Sequence, residues 1–308
     1  MTQKKSLKRR VRARMAETGE RYTEAREAVV GTRPEGRDAI VLKVNKVSAR
    51  VRLVGEEGEV TFRTRDHWRL VPGHVAEVEI TKRWTHRGAS YASGRVRRTR
   101  IDVDALGLEP LPVEDSGEYA VGELSDAYYE PEDEREPIPP RPRRAVEMHA
   151  IVWEGRRAFE RNDLDDCPVS DAAKLKDGGD LVGARKLLNE VLHDDLRCID
   201  AHAHLGNLEF DLSAERALVH YELGIRIGAR MLRGHEDAML LWADIHNRPY
   251  HRCLYGYGLC LWRLDRRDEA VAIFERMLQL DPTDPRDASV CIDDLRRGLS
   301  WDDASGVT

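Results

Sequence analysis

Two periods divide this chain. Over residues 38–99 apolar and polar side chains alternate in short β-branched runs: AIVLKVNK, SARVRLV, EVTFRT, VAEVEITKR and YASGRVRR. A period of two marks strands with one buried face. Gly55, Gly58, Pro72-Gly73 and Gly88 separate the runs, and such residues make turns. Five strands this short would expose pairing edges, so closure into a small β-barrel is expected over residues 37–106. Ala49, Val51 and Leu53 share one face of the second run, with Arg50 and Arg52 on the other. Val41 and Val44 break the alternation of the first run, which predicts a β-bulge near Lys43. The segment DHWRLV, between the third and fourth runs, reads as a short helix.

Further on, the period becomes helical. Leu254, Tyr257, Gly258, Leu261 and Leu264 fall three or four apart and share a helical face. A polar run at residues 265–268 interrupts them. A second stripe follows in Ala270, Ile273, Phe274, Met277 and Leu278, and Asp281-Pro282 stops it, because the residue before proline avoids the α region. Gly258 and Ala270 stand where two helices would touch, with Phe274 filling the groove. This spacing resembles the tetratricopeptide repeat, a helix-turn-helix unit of roughly 34 residues. Gly206, Ala217 and Tyr221 repeat the pattern, and so do Ala172, Ala184 and Leu188, with Gly179-Asp180 as the turn between helices. One hairpin cannot bury its apolar face alone, so an α-solenoid of about three tetratricopeptide-like repeats is expected over residues 145–300. Its first helix would lie in AVEMHAIVWEGRRAFER. The barrel's order of three strands, a helical plug and two strands resembles the OB-fold, and an SH3-like barrel fits nearly as well. The run Asn247-Arg248-Pro249-Tyr250 ahead of a repeat resembles a feature of a loose set of uncharacterised bacterial repeat proteins. That resemblance implies a fold and no defined activity.

Two segments flank the barrel. Residues 1–33 read as a basic helix-turn-helix arm. Leu7, Val11 and Met15 form a narrow stripe among Lys4, Lys5, Lys8, Arg9, Arg10, Arg12 and Arg14. Thr18-Gly19 fits a helix stop, and Thr23 can cap a second helix in TEAREAVV. Residues 107–144 contain Pro110, Pro112, Pro131, Pro137, Pro139, Pro140 and Pro142, with eleven acidic residues against four arginines. That composition predicts an acidic, extended linker. Its block EPEDEREP is either a solvated spacer or a competitor for the basic barrel.

Charge sharpens this division. The net charge of −6 is the sum of two opposed parts. Residues 1–100 hold 25 Lys+Arg against 12 Asp+Glu, and the remainder 25 against 44. A surplus of 13 in one part and a deficit of 19 in the other indicates different partners for the two. Codon bias explains arginine in place of lysine, but it does not explain the segregation. No apolar run reaches the eighteen or so residues of a membrane span, and MTQKKSLKRRVRARM lacks a signal peptide's apolar core, so a cytoplasmic protein without membrane contact is expected.

Basic groups interleaved with aromatics suit single-stranded nucleic acid, with charge tracking phosphates and flat rings stacking on bases. The candidate contacts are Lys8, Arg9 and Arg12 on the arm, and Arg50, Arg52, Lys82, Arg83, Trp84, Arg87, Tyr91, Arg95 and Arg97 on the barrel. Trp84 and Tyr91 lead as stacking rings, with Trp68 third. The same residues also suit a solvated arginine rim with aromatic plugs, or a surface for an acidic protein. In the repeats, the insert GARMLRGHEDAMLLWADIHNRP reads as an added helix or as part of a docking site. The candidate protein contacts are Trp242, Asn247, Arg248, Tyr250 and Tyr257.

Catalytic and metal chemistry find less support. His202 and His204 form an HxH pair with Asp200, but residues two apart on a helix diverge by about 200° and do not share an ion. His246, His251 and Cys253 are a looser set. The five cysteines include no CxxC, and reduced thiols are expected. There is no P-loop, dinucleotide fingerprint or GxSxG elbow. The sequence therefore predicts a non-enzymatic adaptor without cofactor, metal or catalytic residues. Its solenoid would bind a protein segment, and its basic half RNA, DNA or the ribosome. The alternative is a protein-assembly scaffold whose basic half binds an acidic partner or its own linker.

Overall fold

The computed structural model describes residues 3–22, 25, 36–119, 142–148 and 167–305. The chain forms two compact units: Met1–Leu70 with His74–Arg100, and Val71–Gly73 with Ile101–Thr308.

The first unit begins with α1 (Gln3–Thr18). Gly19 then takes a positive φ of 70° and its N–H closes on the Met15 carbonyl at 3.0 Å. Of the predicted apolar stripe, Val11 is fully buried. The second arm helix, expected in TEAREAVV, lies outside the described residues except for Ala25. Five strands follow: β1 (Arg37–Asn45), β2 (Ser48–Leu53), β3 (Val60–Arg63), β4 (His74–His86) and β5 (Ala89–Ile101). They close a barrel in the order β1-β2-β3-β5-β4, and β4 pairs back to β1. The β3–β5 pair is parallel, whereas β1–β2, β2–β3 and β1–β4 are antiparallel. The β1–β2 ladder shifts between Val41 and Lys43, so the expected bulge is present. A single 3₁₀ turn, His67–Arg69, bridges β3 and β4 where a short helix was expected.

The barrel core is made of Val41, Val51, Leu53, Phe62, Leu70, Val78 and Val96 with Ala39, Ala49, Ala76 and Ala92. Small residues dominate because a five-stranded barrel has little interior. Gly94 shows how tightly it closes, for a Cβ there would lie 1.9 Å from the Glu79 carbonyl oxygen. Arg87 and Gly88 turn the chain from β4 to β5, both at positive φ (48° and 77°), the geometry that suits a two-residue hairpin.

In the second unit the expected linker is only partly a linker. β6 (Val113–Tyr119) pairs antiparallel with β7 (Arg143–Met148). This corrects the reading of residues 113–119 and 143–144 as unpaired linker, and of residues 145–148 as the start of a helix. Pro110, Pro112 and Pro142 stand just outside the two strands, where missing N–H donors cost no ladder bond. The rest of the proposed first helix, and the block EPEDEREP, lie outside the described residues.

The helical region comprises α2 (Pro168–Asp177), α3 (Leu181–Asp194), α4 (Ile199–Phe210), α5 (Ala214–Met231), α6 (Arg248–Arg263), α7 (Arg267–Leu280), α8 (Ala288–Arg296) and α9 (Trp301–Ser305). From α2 to α8 each helix packs on the next, including α5 and α6, which a longer connection joins. Packing also skips one helix, from α2 to α4 and from α4 to α6. Asp180 caps α3 by accepting the Gly183 N–H at 2.8 Å, and Ser213 caps α5. The helix–helix contacts use the small residues seen in the sequence. A Cβ on Gly258 would stand 2.7 Å from the Phe274 ring, so only glycine lets α6 and α7 approach over that side chain. Phe274 is fully buried, which contributes roughly 2–3 kcal/mol.

Between α5 and α6 the structure differs from the expected added helix. Residues 238–241 run beside β7. The Met239 N–H donates to the Arg144 carbonyl at 2.8 Å, and the Val146 N–H donates to the Met239 carbonyl at 2.9 Å. A 3₁₀ turn, Ile245–Asn247, then leads into α6. Alternation does not appear in AMLLW because Met239, Leu240 and Leu241 are all buried.

Candidate functional site

The barrel's outer face follows from its register. Phe62 and Ala92 are fully buried and are partners across the parallel β3–β5 ladder. Their neighbours therefore point outward, which places Thr61 beside Tyr91 and Arg63 beside Ser93. On β2, Ala49 and Val51 are buried, so Arg50 and Arg52 face the same side as Thr61, to which Arg50 is paired.

Here the aromatic candidates meet. The Trp84 and Tyr91 rings stack with centroids 5.5 Å apart and planes inclined by 10°. The Arg63 guanidinium lies over both, at 5.7 Å from Trp84 and 5.4 Å from Tyr91. Lys82 places its ammonium 5.5 Å from the Trp84 ring. Cations at this range are held by the ring quadrupole. Both rings are half-buried, and Arg63 and Lys82 have no acidic partner among the described residues. The sequence reading missed Arg63 as a site residue. Its signal was the adjacent Phe62, whose inward direction fixes Arg63 outward.

Other candidates are already engaged. Arg83 forms a bidentate pair with Glu56 at 2.8 and 2.9 Å, and Glu56 also contacts Arg37. The hydrogen bond from Arg83 holds the Glu56 carboxyl below its usual range. Arg97 lies 3.4 Å from Glu79 and 3.7 Å from Glu77, and Arg98 2.6 Å from Glu77. Arg50 donates to Thr61 Oγ1 at 2.9 Å and lies 3.3 Å from Glu59. Arg83 and Arg97, named as candidate phosphate contacts, are therefore each already paired with neighbouring carboxylates. Arg87 occupies the hairpin turn, Arg52 and Arg95 are exposed, and Lys8, Arg9 and Arg12 are exposed on α1 without contacting the ring pair. Trp68, the third ring, is 73% exposed on its 3₁₀ turn.

The protein-contact candidates divide as well. Asn247 is fully buried. Its Nδ2 donates to the Val146 and Leu241 carbonyls at 3.0 and 3.1 Å, and its Oδ1 accepts the Met148 N–H at 2.8 Å. Tyr250 is buried against Gly228. Both are corrected from partner contacts to internal ones, because their polar groups and surfaces are used within the unit. Tyr257 is half-exposed.

Trp242 remains accessible and is ringed by cations. Arg248, Arg252 and Arg286 stand 5.4, 6.0 and 5.5 Å from its ring centroid. Arg286 also lies 4.5 Å from the Tyr255 ring. Arg252 donates to Asp200 at 2.6 Å, whereas Arg248 spends its Nε on the Trp242 carbonyl at 2.9 Å.

The histidines serve the fold. His202 contacts the Leu196 carbonyl at 3.2 Å, and His204 lies 3.8 Å from Asp200. His251 is buried against the Leu240 carbonyl at 2.6 Å. Among the described residues no group of three or more His, Cys, Asp or Glu is placed to hold a metal. All five cysteines are free thiols, and burial pushes Cys198 and Cys260 up to about 12. No helix among the described residues is long and apolar enough to cross a membrane. The chain matches no protein-family model, no curated protein and no solved structure.

Proposed function

We propose that this protein is a non-enzymatic adaptor whose barrel binds single-stranded nucleic acid and whose helical unit binds a protein segment. The observation that carries the first half is the Trp84–Tyr91 stack with Arg63 across both rings. A flat aromatic surface next to cations that have no carboxylate partner among the described residues offers what a splayed strand needs: a π-face for a base and charge for its phosphate. The barrel is read as OB-like. Its strand order, with β3 parallel to β5, departs from a simple meander. The platform also lies where OB-folds bind oligonucleotides, beside the β2–β3 face and the β4–β5 loop. The helical unit is read as tetratricopeptide-like, supported by sequential hairpins, packing of alternate helices, and glycines under Tyr221 and Phe274.

The test is binding of the full chain to single- and double-stranded RNA and DNA oligonucleotides over a salt series. The expected result is preference for single strands, with a log–log salt slope of roughly −0.7 per neutralised phosphate. Absence of binding at low salt, or binding that survives Trp84→Ala with Arg63→Ala unchanged, would refute it. In that case the basic half serves an acidic protein partner.

A further inference from the structure

We infer that Trp242 with Arg248, Arg252 and Arg286 forms a docking site for carboxylate side chains of an acidic peptide segment in a partner protein. The inference rests on reading the helical unit as peptide-binding, and the nucleic-acid reading of the barrel does not enter into it.

The site is assembled from three places in the unit. Trp242 is fixed at both ends of its peptide unit: its N–H donates to Asp281 Oδ2 at 2.7 Å and its carbonyl accepts from Arg248. The indole is thus held by backbone bonds and stays half-exposed. Arg248, Arg252 and Tyr255 recur at i, i+4 and i+7 on α6 and so share one helical face. Arg286 comes from the connection ahead of α8 and is sandwiched between Trp242 and Tyr255.

The charges around these arginines are unequally used. Asp200 takes Arg252. Asp284 accepts the Ala288 and Ser289 N–H groups at 2.6 and 3.0 Å, and Asp281 accepts from Trp242 and Thr283. Those two carboxylates are satisfied by backbone at a helix start and a turn. Arg248 and Arg286 have no carboxylate hydrogen bond among the described residues, and Arg286 Nε is buried without a partner. Guanidiniums stacked on rings with terminal donors open are arranged for bidentate carboxylate capture. A polyphosphate strand is disfavoured, because residues 101–308 carry 44 acidic residues against 25 basic ones. That field repels a long polyanion, whereas one or two carboxylates reach a local cationic patch at short range.

The experiment titrates the full chain into fluorescein-labelled hexaglutamate, hexaglutamine and an uncharged amphipathic helical peptide, read by anisotropy. Hexaglutamate is expected to bind, hexaglutamine about tenfold more weakly, and the Arg248→Gln/Arg286→Gln variant to lose about tenfold for hexaglutamate. Arg286→Lys, which keeps charge but loses the planar stack, is expected to fall between them, and an unchanged urea midpoint excludes unfolding as the cause. Equal hexaglutamate binding by wild type and double variant overturns the inference. So does loss only in Arg63→Gln/Lys82→Gln, which would put the peptide on the barrel. If the uncharged peptide binds and hexaglutamate does not, the inference falls while the peptide-binding reading stands; if neither binds, both fall. Loss of oligouridylate binding in the Arg248→Gln/Arg286→Gln variant would make the site one for phosphate, and would also overturn it.

Discussion

Trp84 and Trp242 share one chemistry in two settings. Each is a half-exposed indole with arginine or lysine over its ring. Trp84 rests on Tyr91 near the tip of a hairpin, in a region with 13 more basic than acidic residues. Trp242 is tied by its backbone to Asp281 and Arg248, in a region with 19 more acidic than basic. Cation–ring geometry alone thus does not define a partner. The surrounding field and the rigidity of the support decide whether such a cluster suits a phosphate chain or an isolated carboxylate.

The largest effect expected on this comparison comes from removing the support of Trp242. Asn247→Ala leaves the Met148 N–H and the Val146 and Leu241 carbonyls buried without their shared partner. Stability should fall by about 3–4 kcal/mol in urea unfolding, with oligonucleotide binding by the folded protein unchanged. An effect under about 1 kcal/mol would show that the connection is held by packing alone.

Acid should act on the barrel through His74, a buried histidine at the start of β4. Burial lowers His74 from 6.5 to about 4, so the folded barrel keeps this ring neutral while the unfolded chain protonates it. The stabilisation is whole above pH 6.5 and is lost as pH falls toward 4, by about 2–3 kcal/mol. His74→Gln should flatten that part of the stability–pH profile. An equally steep profile in the variant would assign the acid sensitivity to other groups.

Much of this scaffold was legible in the sequence, and the reasons for the rest are physical. Alternation exposes a strand whenever one face is wet, so β1 to β5 were readable, and the mismatch of Val41 and Val44 marked the bulge. Glycine opposite a large ring revealed the α6–α7 contact. β6 and β7 were hidden because their pairing partners are not local and their composition is that of a linker. The occupation of Arg83 by Glu56, 27 residues away, depends on strand order, which periodicity does not encode. Asn247 looked like an exposed polar residue for the same reason, since its partners on β7 lie about a hundred positions earlier.

Smaller effects separate the platform from its surroundings. Trp84→Ala should reduce single-strand affinity about 10- to 100-fold, the value of roughly one to two stacked bases, with little change in thermal midpoint. Unchanged affinity would remove the platform from the interface. Smallest is the contrast between two arginines. Arg63→Ala should weaken binding a few-fold and lower the salt slope by roughly 0.7. Arg83→Ala should leave the slope nearly unchanged because Glu56 already engages it. Equal losses would mean that the Glu56 pair opens in the complex.

The hydrogen bonds that Asn247 accepts from the Met148 N–H and donates to the Val146 carbonyl span 99 and 101 residues. During synthesis at about 5–20 residues per second, β7 leaves the ribosome some 5–20 seconds before the residues that complete its edge. The nascent chain must hold that edge unsatisfied through translation of the first helical hairpins. A pause in translation between residues 148 and 247 would therefore lengthen the period in which this protein is most open to capture by chaperones or to mispairing.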